Sequence, residues 1–263
     1  MLLPSSFGFF FNSIILLLLL SLAMNNHFYQ KSYAHDFFVN NDAAIVTLIE
    51  QIKAETELVN TNFLFNNNVS AQSHARNAAE LLNELEDNMT EASSEQPSSD
   101  ITQIYENEKT NSTSLALVTA NIVDEILRKY GTAFDIGYDL TNMSNMGGMR
   151  MSNMGHSDNM SMPTMTGNNS ELVSIQDYET SQVLADVVNE LFENDLRPRS
   201  SVSETTNIDK IERNLNQLDQ AIVNKASPEA LMELVHVQIH PTLQQVYDLK
   251  LSGNDVVETE DSD

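Results

Sequence analysis

The sequence predicts an all-α protein: an antiparallel helical bundle of about six helices, with one long Met-rich loop. Three observations predict this class. Apolar residues recur at three- and four-residue steps through most of the chain after its N-terminus. No stretch of useful length alternates apolar and polar residues as a half-buried strand would. Helix-start signals, such as Ser227-Pro228-Glu229, stand where periodic stretches begin.

The first helix is expected over about Asp42 to Phe65, where Ile45, Leu48, Ile49, Ile52, Val59 and Phe63 share a face and Asn40 or Asn41 can cap. Asn66-Asn67-Asn68 makes a turn. The second helix, about Ser70 to Asp87, places Ala71, Ala75, Ala78, Leu82 and Leu85 together. Residues 88–112, rich in Ser, Asn, Glu and Thr, read as a linker. The third helix, near Ser114 to Tyr130, uses Leu115, Val118, Ile122 and Ile126, and Gly131 is its expected stop. Residues 131–169 form a low-complexity loop rich in Met, Gly, Asn and Ser. A fourth helix is expected over about Ser170 to Asn194, broken by Arg197-Pro198. The fifth, about Ile208 to Lys225, carries Ile211, Leu215, Leu218 and Ile222, with Thr206 and Asp209 as a capping box. The sixth starts at Ser227-Pro228 and ends near Leu251. The organisation is thus a leader over 1–34, helices over 35–130, the loop over 131–169, helices over 170–251 that join the first set in one bundle, and an acidic tail over 252–263.

The leader holds one apolar run, Phe7 to Ala23, broken only by Gly8, Asn12, Ser13 and Ser21 and centred on Ile14-Ile15-Leu16-Leu17-Leu18-Leu19-Leu20. Small-residue sites follow at Ser21-Leu22-Ala23 and Ser32-Tyr33-Ala34, either of which suits a signal peptidase. No Lys or Arg precedes the run, and it is close to the minimum of roughly 17 residues for a bilayer span. It reads as a signal peptide or a retained N-terminal anchor. In both cases the working part lies outside the cytosol: secreted, periplasmic or on the cell surface. Six Asn-x-Ser/Thr sequons, at Asn68, Asn88, Asn111, Asn142, Asn159 and Asn168, would be glycan acceptors in an exported chain.

Composition narrows the function. The chain has no cysteine, which excludes a disulfide framework and any Cys-based zinc or redox site. Its formal charge of -25 repels nucleic acid and anionic lipid heads, so a membrane is met only through the N-terminal segment, if uncleaved. There is no Gly-x-Ser-x-Gly elbow, no His-Glu-x-x-His and no Gly-rich phosphate loop, so a non-enzymatic role is expected.

The unusual segment is 143–165. It carries Met143, Met146, Met149, Met151, Met154, His156, Met160, Met162 and Met165, with Met-x-x-Met four times and Met-x-Met twice. Thioether sulfur is a soft, neutral ligand that prefers Cu(I) to Zn, Mg or Ca. Unlike thiolate, it survives an oxidising compartment without forming disulfides. Closely spaced sulfurs with His156 can wrap one ion. A Met-lined core or greasy groove is the plainer explanation, but a core segment would also contain Leu, Ile, Val or Phe, and 143–165 has none. Drift of an Asn-Met-Ser repeat, with no ligand at all, is the other. The segment resembles the Met-rich stretches of exported copper-handling proteins, such as multicopper oxidases of the periplasmic copper-resistance type and related copper carriers. The resemblance covers this segment alone and implies copper capture. Oxidation is not implied, because the His-x-His and Cys-His motifs of those oxidases are missing.

Two further sets of ligands are candidates. Glu233, His236 and His240 fall in one narrow sector of the sixth helix at about 100° per residue, beside the apolar stripe Leu231, Val235, Ile239, Leu243 and Val246. His at i and i+4 can share a metal ion, with His74 of the second helix as a third ligand. Half-buried polar residues bonded to neighbouring helices would give the same pattern. Pro241 takes away the bond to the Val237 carbonyl and is expected to kink this site. A cut after Ala34 would make His35 the N-terminus, where amine and imidazole together chelate Cu(II). The function expected is an exported copper-binding carrier, buffer or scavenger. Its partners would be copper ions and an envelope or membrane copper protein. The alternative is a non-catalytic structural or interaction protein of the cell envelope.

Overall fold

The computed structural model describes residues 41–95, 101–136, 141, 171–200 and 205–250, and the side-chain environment of all of these except 91–95. Seven helical rods make up an all-α bundle with no strand among the described residues. They are α1 (Asn41–Leu64), α2 (Asn68–Glu95), α3 (Ile101–Thr110), α4 (Ser112–Ala133), α5 (Ile175–Leu191), α6 (Thr205–Val223) and α7. The last consists of Pro228–Glu233, a π-helical turn Leu234–Ile239 and His240–Tyr247. A similar π turn, Phe192–Leu196, and a 3₁₀ turn, Arg197–Arg199, continue α5.

The helix α4 sits at the centre because it is apolar almost all round. Leu115, Ala116, Leu117, Val118, Thr119 and Ala120 are all buried in succession, which a one-sided helix cannot achieve. It packs against α1, α3, α5 and α7. Ile45 and Val46 from α1, Leu184 and Val188 from α5, and Val235 and Ile239 from α7 close around it, and Ile211 and Leu215 of α6, which packs on α5 and α7, belong to the same cluster. Each such side chain contributes about 1.5–3 kcal/mol on full burial. By contrast α6 is one-sided, with Ile208, Ile211, Leu215, Leu218 and Ile222 buried at helical spacing. At one end of the bundle Tyr130, Phe134 and Tyr178 stack, with ring centroids 4.7 to 6.3 Å apart. Tyr130 Oη donates to the Ala226 carbonyl at 2.6 Å, and Tyr178 Oη donates to the Ile222 carbonyl at 2.9 Å. Those two bonds fasten the α6–α7 turn to α4 and α5.

Several boundaries differ from expectation. Residues 88–112 are not a linker: α2 runs on to Glu95, and α3 occupies Ile101–Thr110. Ile104 is the one apolar side chain of α3 that is fully buried, so the segment shows little periodicity. Gly131 does not stop α4 but lies buried within it. The helix ends two residues later, where Asp135 takes a φ of 51°. Because α6 starts at Thr205, Thr206 lies inside its first turn and is not a cap. The last helix ends at Tyr247, where Asp248 is left-handed, and not near Leu251. The Ser227 cap holds as expected, accepting from Ala230 N–H ahead of Pro228 at the first helical position.

Both π turns have one cause in common. Pro198 and Pro241 each lack the N–H that would bond four residues back, and their rings crowd that carbonyl. In each case the residue just before proline reaches back five residues instead: Arg197 N–H to the Phe192 carbonyl, and His240 N–H to the Val235 carbonyl. In α7 the packing favours the same widening. Leu231, Val235, Ile239 and Leu243 are all fully buried at strict four-residue steps. An α-helix would rotate such a row by about 40° per step; the wider turn keeps the row facing the core. The expected kink at Pro241 is therefore a π turn.

Candidate functional site

The most organised polar cluster joins α1, α2 and α5. His74 is fully buried. Its Nδ1 lies 2.7 Å from Glu55 Oε2, and its Nε2 lies 3.0 Å from Glu179 Oε2. Thr180 Oγ1 donates to Glu55 Oε1 at 2.8 Å, and Asn77 Nδ2 approaches the same carboxylate at 3.4 Å. Asn62 Nδ2 donates to Glu179 Oε2 at 3.2 Å, and its own Oδ1 accepts from Asn67 at 2.9 Å. Burial works against a charge on His74, but the hydrogen bonds and charges of Glu55 and Glu179 outweigh it and hold the imidazole above its ordinary pKa. Protonated, the ring donates to both carboxylates.

This arrangement is a strut rather than a ligand set. Its carboxylates occupy opposite nitrogens of one ring, so no three donors converge on a common point. Among the described residues no group of three or more His, Asp or Glu is disposed to hold a metal ion. His74 thus takes partners on α1 and α5, and no such group joins it to the histidines of α7.

Those histidines lie on the π turn of α7 and just past it. The His236 and His240 rings are nearly perpendicular, with centroids 5.6 Å apart. Both are buried, and Asp124 Oδ1 of α4 lies 3.5 Å from His240 Nε2. Glu233 is only half-buried, one turn earlier. The structure therefore brings His236 and His240 together and adds Asp124, which the sequence pattern missed. Asp124 is one acidic residue of an apolar helix more than a hundred positions away, and only packing reveals the pairing.

An open cleft of about 300 Å³ lies between α1, α3 and α5. Tyr105 is at its edge, with the Lys53 and Lys109 ammonium groups 4.4 and 5.2 Å from its ring centroid. Lys53 Nζ donates to Tyr105 Oη at 2.6 Å, and Tyr105 Oη donates to Glu50 Oε1 at 2.7 Å. Lys109 Nζ pairs with Asp195 at 3.3 Å. Burial opposes the Lys53 charge, but the bonds to Tyr105 and Glu50 raise its pKa. Both ammonium groups are answered by a carboxylate, Lys53 by Glu50 and Lys109 by Asp195, so the group reads as a clamp between helices. In sequence its members look like ordinary solvated charges.

The leader with its cleavage sites, His35, and Met143, Met146, Met149, Met151, Met154, His156, Met160, Met162 and Met165 all lie outside the described residues, as does the acidic tail. Of the sequons, Asn88 is buried in α2, where its Nδ2 bonds the Glu84 carbonyl, and a glycan there would have no room. No described helix is long and apolar enough to cross a membrane. Fold and site define the class of the protein as an all-α bundle, tied across three helices by a buried carboxylate–imidazole–carboxylate strut. No family model, curated protein sequence or solved structure matches the chain.

Proposed function

We propose that this is an exported copper-binding protein that carries, buffers or scavenges the metal through its Met-rich segment. The observation that carries this reading is the segment itself: eight methionines and His156 between residues 143 and 165, without Leu, Ile, Val or Phe, in a chain that lacks cysteine. Soft thioethers select Cu(I) where thiols would oxidise. The bundle, which we read as antiparallel, serves as the frame. Its part is to hold the two roots of the segment together, since Val173 and Ser174 N–H both donate to the Ala133 carbonyl.

The His236–His240 pair, with Glu233 beside it, is a second candidate site and suits Cu(II) better. His35 would add a terminal chelate after a cut at Ala34. His74 is better read as structural, because carboxylates face both of its nitrogens. The partner implied is an envelope or membrane copper protein that hands over or receives the ion. A non-catalytic structural or interaction role in the envelope is the second reading. The exposed apolar residues Leu64, Phe65 and Val69 favour it.

A competitive Cu(I) titration against a chromophoric chelator tests the copper reading. The chain from residue 35 onward should hold Cu(I) at least about tenfold more tightly, or about 1.4 kcal/mol, than a variant with the eight segment methionines changed to Leu. Equal affinities would remove the Met segment as the site.

A further inference from the structure

The apolar residues this fold leaves exposed are concentrated at one end. Leu64 and Phe65, at the α1–α2 turn, are 70% and 80% exposed, and Val69, in the first turn of α2, is 76%. Val173 and Ile175, at the start of α5, are 61% and 43%, and Val223, at the end of α6, is 50%. Hydrogen bonds place these positions together. Gln176 Nε2 donates to Ser70 Oγ at 3.4 Å, which sets the start of α5 beside the start of α2. Tyr178 Oη donates to the Ile222 carbonyl, which brings the end of α6 to the same region. Single apolar side chains on a surface need no explanation, but a gathering at one end of a bundle does.

Both roots of the Met-rich segment are at this end. Val173 and Ser174 N–H donate to the Ala133 carbonyl at 2.8 and 3.2 Å. The chain therefore leaves the end of α4 after Ile136 and comes back beside it at Glu171. Thr141, two positions before Met143, is fully buried.

We propose that the Met-rich segment, residues 143–165, docks on this apolar end of its own bundle. Methionine suits such docking because its flexible thioether fills irregular apolar surfaces and makes favourable contacts with aromatic rings, of which Phe65 offers one. Because both ends of the segment are tethered at the face, its local concentration is of the order of millimolar, well above that of a free partner. A membrane held by the N-terminal segment is a poorer fit. The α1 helix begins at Asn41 and rises about 36 Å at ~1.5 Å per residue before it reaches Leu64, so the N-terminal segment joins the bundle at its opposite end. A second copy would have to displace the tethered segment. This docking needs the apolar bulk of the segment's side chains but no ion, and it stands apart from the copper reading.

Oxidation by hydrogen peroxide of the full chain, kept metal-free with a copper chelator and read by peptide mass spectrometry, tests the docking. The segment methionines should oxidise at least about threefold more slowly than in a Phe65→Ser/Val69→Ser variant, because oxidation follows exposure. Both substitutions are at exposed positions, so circular dichroism and melting should not change. Equal rates in the two proteins would overturn the proposal. A second measurement uses an apolar dye. Changing the eight methionines to Ser should raise dye binding to wild-type protein severalfold, whereas changing them to Leu should not. Since the Leu variant loses copper but keeps the face covered, failure of one reading is distinguishable from failure of the other. Sedimentation and vesicle binding complete the test. A dimer, or attachment to zwitterionic vesicles, that Phe65→Ser/Val69→Ser abolishes, with unprotected methionines, would assign the face to another occupant and overturn the proposal.

Discussion

His74 is the side chain on which α1, α2 and α5 meet, and its contribution comes from charge as much as from contact. Its loss would strand the Glu55 carboxylate, which is itself buried. Breaking a buried ion pair from one side costs about 3–5 kcal/mol; Glu179 keeps some solvent access, so His74→Ala should cost about 3 kcal/mol. Urea denaturation checks this, and a loss below about 1 kcal/mol, the range of an exposed ion pair, would mean the strut carries no weight. The pH dependence has a definite sign. The folded pKa of His74 is raised above the ordinary value of 6.5. Its stabilisation is therefore complete below 6.5 and is lost as pH rises from there through the folded pKa. The stability gap between wild type and His74→Gln should narrow upward from pH 6.5; a gap that widens would contradict a charged His74. The sequence placed His74 on the second helix as a candidate ligand. It could not show the partners, because Glu55 is 19 positions away and Glu179 is 105.

At the scale of the element, the helices with the clearest apolar stripes were legible and the short polar one was not. The stripes of α4 and α6 lie on the core as expected, and that of α1 does so at Ile45, Leu48, Ile49 and Ile52 but not at Phe63, which is exposed. By contrast α3 has the composition of a linker, and tertiary contact rather than local pattern makes it a helix. Proline marked both irregular helices, but the form of the irregularity depends on packing. The row Leu231, Val235, Ile239, Leu243 needs a wider turn than an α-helix provides. Val237 on that turn is half exposed, and deleting it would convert the row to an ordinary four-three-four α pattern. The deletion should leave a folded protein within about 2 kcal/mol of wild type, because a π turn amounts to one extra residue in an α-helix. Deleting Asn216 from the regular helix α6 would instead turn Leu218 and Ile222 off the core, at about 2–5 kcal/mol for each displaced side chain. Thermal melts of the two deletions compare them, and equal damage would refute the role given to the π turn.

At the scale of the molecule, charge and frame are the main features. A formal charge of -25 on 263 residues works against compaction. The strain is visible locally: burial, together with Asp219, Glu190 and Glu57, raises the pKa of the Asp186 carboxyl. Salt shortens the Debye length from about 30 Å at 0.01 M to about 8 Å at 0.15 M. The melting temperature should therefore rise with sodium chloride over that interval, and a fall would show that attractive pairs such as Arg197–Glu212 dominate. The fold class could be read from periodicity and the metal hypothesis from ligand chemistry, whereas the strut, the Asp124–His240 contact and the apolar end depend on residues far apart in the chain. Whether segment sulfur binds copper can be read from X-ray absorption on the Cu(I)-loaded chain. Capture by the segment predicts a copper shell dominated by sulfur, which disappears when the eight segment methionines become Leu. A shell of nitrogen alone, unchanged by those substitutions, would contradict it.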